Sequence, residues 1–143
     1  MRKLFSFMMA TVDGYYEGPN QEFDFWIVDD EFGEFSVAQL DEVEWANTRL
    51  VDAPEELTAL KQQPGRDIAI LGSSDLTASL LRMGLVDELR IMVNPVVLGA
   101  GRSMFRTAGE RIGLKLLKSR AFDSGNVLLY YQPAAPGTAA RGS

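Results

Sequence analysis

The sequence predicts one α/β domain, a mixed sheet flanked by helices, and three observations predict it. Residues Leu4 to Val12 are almost continuously apolar, the pattern of a central strand covered on both faces. Helical and strand-like segments then alternate as far as Leu98. Finally, two apolar-rich runs flank the turn residues Asp123-Ser124-Gly125-Asn126, which reads as an antiparallel hairpin. Strands separated by helices, followed by an antiparallel finish, make a mixed sheet with helices on its faces.

Taken in order, Asp13-Gly14 ends the first strand with turn chemistry. Residues 15–28 form an aromatic-rich loop, and Asp29 or Asp30 caps a helix running to about Leu40, with Phe32 and Phe35 on one side and Gly33 weakening it. Val43 to Val51 reads as a strand. A helix then opens at Pro54, faces Leu57 and Leu60 inward and stops at Pro64-Gly65. A short strand follows over Asp67 to Leu71, and Gly72-Ser73-Ser74-Asp75 turns into a helix with a buried stripe of Leu76, Leu80 and Leu81. Glu88 to Leu98 is expected to be the longest strand, with Leu89, Ile91 and Val93 alternating with Arg90, Met92 and Asn94. The hairpin strands are Leu114 to Ala121 and Val127 to Tyr131. The expected domain is 1–132, and 133–143, built from Pro, Gly and Ala, is expected to be a disordered tail.

Composition excludes several kinds of chemistry. The 143 residues include no cysteine and no histidine, which removes disulfides, thiolate nucleophiles, imidazole bases and the usual zinc ligands. No metal site is expected, because the acidic residues are scattered. A net charge of -6 argues against nucleic acid, which needs clustered Lys and Arg. No apolar run reaches the ~18 residues of a membrane span. The apolar start reads as a strand and not as a signal peptide, since it stops at Asp13 without a small-residue cleavage site. The expected compartment is the cytoplasm.

Four places can carry chemistry. Gly72-Ser73-Ser74 joins a strand to a helix, where free amides and the helix dipole favour a phosphate; the same residues also serve as a plain turn and N-cap. Asp13 stands at a strand end, where α/β ligands bind, and can place a substrate or relay a proton, or simply precede Gly14 in a turn. Phe23, Phe25 and Trp26 can stack on a flat heterocycle or belong to the core. The loop Asn94 to Phe105 is glycine-spaced, and its Arg102 can meet an anion or face solvent.

These residues resemble a known family. Leu80 to Gly101, with Val86-Asp87-Glu88-Leu89 and Asn94-Pro95-Val96-Val97-Leu98-Gly99-Ala100-Gly101, is similar to the C-terminal half of the dihydrofolate-reductase-like reductases, which include the reductase domain of the bifunctional riboflavin-biosynthesis deaminase-reductase. Ile70 to Leu76 resembles their strand-glycine-helix element, and Met9 to Gly14 their first strand. Phe23-Asp24-Phe25-Trp26 with Asp29 to Phe32 resembles the loop and helix beside their substrate cleft.

The resemblance implies a mostly parallel sheet and a reductase passing a hydride from NADPH to a small heterocyclic (pyrimidine- or pterin-like) or carbonyl substrate. It places Gly72, Ser73, Ser74, Asp75 and Leu76 on the cofactor, with Ala10, Thr11, Leu98, Gly99 and Gly101 near the nicotinamide. Asp13 becomes the catalytic and substrate-side candidate, with Phe25 and Trp26 beside the substrate. A non-catalytic binding or assembly protein on the same scaffold is the other reading. There is one departure. Relatives carry a strand, a Gly-Arg-x-Thr turn into a helix and a further strand after the substrate-side helix, whereas here Ala38-Gln39-Leu40 runs directly into Asp41-Glu42-Val43-Glu44-Trp45. Losing such a unit leaves strand edges unpaired, so a homo-oligomer is expected, and a poor reductase with it.

Overall fold

The computed structural model of the chain describes residues 2–21, 24–41, 54–71, 74–105, 109 and 111–134. The strand expected at Val43 to Val51, the residues Phe23, Gly72 and Ser73, and most of the expected tail lie outside the described residues. Strand β1 (Leu4–Thr11) is buried at every position, as its unbroken apolar run requires. After it come β2 (Tyr15–Glu17), α1 (Asp30–Leu40), α2 (Pro54–Gln62), β3 (Ile68–Leu71) and α3 (Ser74–Arg82). The chain continues through β4 (Glu88–Asn94), β5 (Arg102–Ser103), β6 (Leu114–Ala121) and β7 (Val127–Pro133).

The main sheet has the order β3-β1-β4-β7-β6. Strands β3, β1 and β4 are parallel, and β7 and β6 add antiparallel at one edge. This is the expected mixed sheet, a parallel core finished by a hairpin. Because its three parallel strands point the same way, the ends at Leu71, Thr11 and Asn94 lie along one edge. That edge is where α/β folds place ligands.

Alternation along β1 splits the core in two. Phe7 and Met9 face α1, in a cluster with Phe35, Met92, Phe122 and Leu128. Leu4 faces the other way, against Leu57 of α2, Ile68, Leu80 of α3 and Val86. Helix α1 begins where the sequence places it: the Asp29 side chain accepts from Phe32 N at 2.9 Å, and Asp30 and Glu31 in the first turn suit the helix dipole. Helix α2 is anchored through Lys61, buried to 3% exposure, whose Nζ donates to Leu85 O at 2.9 Å and Asp87 Oδ2 at 2.6 Å. Asp87 Oδ2 also accepts from Leu4 N at 2.8 Å, so one carboxylate ties α2 to β1.

Two expectations are corrected. Strand β4 stops at Asn94 and spans seven residues, shorter than the eight of β1 and β6, because Pro95 offers no N–H to continue the ladder. The segment after Gly14 is not all loop: β2 pairs antiparallel with β5 as a separate two-stranded ribbon. Gly101 permits this pairing. It sits at φ +151°, and a Cβ there would lie 2.3 Å from the Glu17 carbonyl oxygen. Among the described residues no helix is long and apolar enough to cross a membrane.

Candidate functional site

An open cleft of about 580 Å³ lies on the α1 side of the sheet, beside the carboxyl ends of the parallel strands. Phe7 and Met9 of β1 form its floor. Phe32, Ser36, Gln39 and Leu40 of α1 form one wall, Trp26 and Val28 a second, and Tyr16, Glu17 and Leu71 complete the rim. Most of these side chains are apolar or aromatic, and among the described lining residues none is Lys or Arg. Such a surface suits a flat ring system held by few polar contacts.

The Trp26 wall is held by a residue that is not part of the cleft lining. Asn94 is fully buried at the end of β4. Its Nδ2 donates to Ala10 O at 3.0 Å, and its Oδ1 accepts from Ile27 N at 3.1 Å. Ile27, fixed to the sheet by this contact, sets where its neighbours Trp26 and Val28 stand. Phe25 meets Trp26 edge-on, with centroids 6.4 Å apart, and is not among the cleft residues.

A buried charge network backs the cleft at Gln39. Arg90 of β4 is 3% exposed and pairs with Glu88 through Nε. Its guanidinium stacks 3.7 Å from the Phe5 ring centroid, and its Nη1 donates to Gln39 Oε1 at 3.0 Å. Read from the sequence, Arg90 alternates with apolar neighbours as though on a wet face. Both faces of β4 are covered instead, and the Glu88 ion pair, the Gln39 hydrogen bond and stacking on Phe5 make a buried arginine tolerable.

Asp13 stands outside the cleft. Its Oδ1 accepts from the Thr11 hydroxyl at 2.7 Å and from Leu98 N at 3.1 Å, and its Oδ2 from Gly99 N at 2.9 Å. The Thr11 hydroxyl, then the Gly99 amide, holds the carboxyl down to about 2, against 3.8 ordinarily. Thr11 Oγ1 in turn accepts from Tyr15 N at 3.0 Å, so Asp13 and Thr11 together tie the turn to the loop after β4. Of the other residues expected near a cofactor, Ala10 is fully buried and clusters with Leu89 and Ile91. Leu98 is half-buried, and Gly99 is exposed at φ +85° with open space where a Cβ would stand. Helix α3 begins at Ser74, and Leu76 is half-buried against the Leu4 cluster. Sequence reasoning missed Gln39 and Arg90 as parts of the site and placed Asn94 only at the start of a candidate loop, since each works through a partner distant in sequence.

With this geometry in view, residues 30–128 match the RibD C-terminal domain family, and the chain belongs to that family. It is 43% identical over 77 residues to YyaP, an uncharacterised protein of Bacillus subtilis (strain 168); the match covers 54% of this chain and 41% of YyaP. The chain therefore spans less than half the length of that curated relative where the two match. Among solved structures it is similar to the Thermotoga maritima diaminohydroxyphosphoribosylaminopyrimidine deaminase/5-amino-6-(5-phosphoribosylamino)uracil reductase. That likeness has a TM-score of 0.65 at 11% identity and covers 93% of this chain and 57% of the other. It is also similar to Enterococcus faecalis dihydrofolate reductase complexed with NADP(H), with TM-score 0.58 at 9% identity, covering 93% and 97%. At such identities these structures establish the dihydrofolate-reductase-like fold.

Proposed function

We propose that the protein is an NADPH-dependent reductase of a small planar substrate, working slowly for its family. The observation that carries this reading is the apolar cleft at the carboxyl edge of the parallel strands, within a RibD C-terminal domain. Exposed backbone beside the cleft supports a cofactor there: Gly99 is exposed with nothing within 4 Å of an added Cβ, which leaves the chain open to close approach. In this reading Leu98 and Gly99 border the nicotinamide, and the segment 72–75 with Leu76 takes the pyrophosphate. Bound NADPH supplies the hydride. The protein's own residues orient the substrate and exclude water: Trp26, Phe32 and Met9 enclose the ring, and Asn94 fixes the Trp26 wall. In this reading Asp13 anchors the loop rather than moving a proton, because both its oxygens are engaged and a carboxyl held near 2 is too weak a base to take a proton at neutral pH.

A homo-oligomer in the cytoplasm completes the reading. Edge strand β6 is exposed along its whole length, with Leu114, Leu116 and Leu117 among its residues. The test is titration with NADPH, followed by NADPH oxidation with a panel of pyrimidine, pterin and carbonyl acceptors. Saturable NADPH binding with slow turnover of one acceptor class supports the reading. Absence of NADPH binding by the folded protein overturns it, and binding without any turnover favours the non-catalytic alternative.

A further inference from the structure

We propose that Asp13-Gly14 is a latent aspartyl-isomerisation site, held shut by its own turn and by the loop after β4, and that local opening there leads to one-way loss of the Asp13 anchor. The inference stands whether or not the cleft is a reductase site. Asp13-Gly14 is the chain's only Asp-Gly pair, and the sequence has no Asn-Gly. Of all aspartyl sequences this pair closes on itself most readily, because glycine puts no side chain between its own amide and the aspartyl carboxyl. The Gly14 nitrogen bonds to Asp13 Cγ and gives up its proton, and one carboxyl oxygen leaves as water. The succinimide so formed takes up water again. Breaking the new N–Cγ bond returns aspartate. Breaking the bond from that nitrogen to the Asp13 carbonyl carbon routes the main chain through Cγ, as isoaspartate of unchanged mass.

The fold restrains both partners of the ring closure. The Gly14 N–H donates to Thr11 O at 3.1 Å, so the nucleophile is turned back into the turn. The electrophile is pinned from the other side: Oδ1 accepts from the Thr11 hydroxyl at 2.7 Å and Leu98 N at 3.1 Å, and Oδ2 from Gly99 N at 2.9 Å. Swinging Cγ onto the Gly14 nitrogen gives up these contacts, and hydrogen bonds to a charged group are the strong ones. The same donors keep the carboxyl ionised, whereas water leaves from the uncharged acid. Asp13 is nonetheless exposed to solvent, and two of its three donors belong to the exposed loop at Leu98 and Gly99. Protection therefore lasts as long as that loop stays docked. The product cannot restore it. In isoaspartate the free carboxyl sits directly on Cα and the main chain gains a methylene, so the carboxylate no longer spans to the two amides.

The test ages the protein at mildly acidic pH, native and unfolded in guanidinium chloride, and follows isoaspartate by peptide mapping with electron-transfer fragmentation. Conversion at Asp13 should be at least about tenfold slower in the native protein, the worth of one charge-assisted hydrogen bond. Thr11→Val removes the hydroxyl and should raise the native rate at Asp13 about tenfold, while Thr11→Ser keeps the hydroxyl and stays near wild type. Asp123-Ser124, in the hairpin turn, is read from the same maps and should be unmoved by Thr11→Val. Converted protein should also exchange its Leu98 and Gly99 amides faster than fresh protein. Equal Asp13 rates in native and unfolded wild type overturn the inference, a result that needs no variant to fold. So does an unchanged Asp13 rate in folded Thr11→Val, an equal rise at Asp123, or unaltered amide exchange after conversion.

Discussion

Replacing Asn94 with alanine tests whether the Trp26 wall hangs from the end of β4. The amide is fully buried and makes contacts on both of its ends, to Ala10 O at 3.0 Å and from Ile27 N at 3.1 Å. A weaker donor contact reaches Met92 O at 3.4 Å. Leaving a buried polar group without its partner costs ~1–3 kcal/mol. The Ala10 carbonyl is buried and the Ile27 amide partly so, hence the combined loss should be about 3 kcal/mol. For a chain of this size that lowers the melting temperature by roughly 6–12 °C. Asn94→Asp should be worse than alanine. It keeps an acceptor for Ile27 N but cannot donate, and it sets a negative charge against two carbonyl oxygens. Urea unfolding gives the stability. Tryptophan emission under native conditions reports the wall, which should shift to the red in both variants. Equal stability of wild type and Asn94→Ala, or an aspartate variant as stable as wild type, would refute this account of the site.

Three other substitutions probe the parts around the cleft. Asp13 has its folded pKa lowered to about 2 from 3.8, so its contribution is complete above 3.8 and lost as pH falls toward 2. Asp13→Asn should therefore lose less stability than wild type across that window, as read from urea midpoints at stepped pH; parallel curves would contradict the anchor role. Gly101→Ala meets the Glu17 carbonyl at 2.3 Å and a backbone angle of +151°, and should open the β2–β5 ribbon with accelerated amide exchange at Met104, whose N donates to Gly14 O. Unchanged exchange there would show that the ribbon tolerates a side chain. Leu116→Lys adds charge to the exposed β6 edge and should lower the sedimenting mass at micromolar concentration. A wild-type chain that sediments only as a monomer refutes the oligomer.

The readable parts of this fold are those whose cause is local. An almost unbroken apolar run closed by Asp13-Gly14 reads as a covered strand, and β1 is buried throughout. Asp29 at a helix start and Asp123 to Asn126 between two runs carry their own turn chemistry, and both elements stand where expected. The unreadable parts depend on partners far along the chain. Arg90 is buried because Phe5 and Gln39 come to it, and nothing near position 90 says so. Asp13 spends its oxygens on amides at Leu98 and Gly99, so its character as an anchor is set 85 and 86 residues away. Gly101 invites a ligand-binding reading through the family resemblance, yet the group that requires a glycine there is the chain's own carbonyl at Glu17. Strands β2 and β5, three and two residues long, are too short to show a periodicity at all.

The cleft's open side is where a further unit following α1 would bear on the site. Leu40 ends α1 and lines the cleft, and Leu71 ends β3 on its rim with 50% exposure. The resemblance sets the extra strand–helix–strand of relatives between Leu40 and Asp41, so added chain would emerge at this rim. The consequences for binding and for turnover differ. Binding a flat ring needs the floor and walls already present, Phe7, Met9, Phe32 and Trp26. Turnover needs donor and acceptor held to a near-attack distance, and about 1 Å of misplacement costs roughly a hundredfold. Grafting the corresponding segment of the Thermotoga maritima reductase between Leu40 and Asp41 should therefore raise NADPH oxidation by about a hundredfold. It should leave heterocycle affinity within a few-fold of the ungrafted protein. Single-turnover kinetics on both proteins, with circular dichroism to show that the graft folds, separates the two effects. Equal rates in two folded proteins would mean that the missing unit contributes nothing to alignment, and that the slow-reductase reading is wrong.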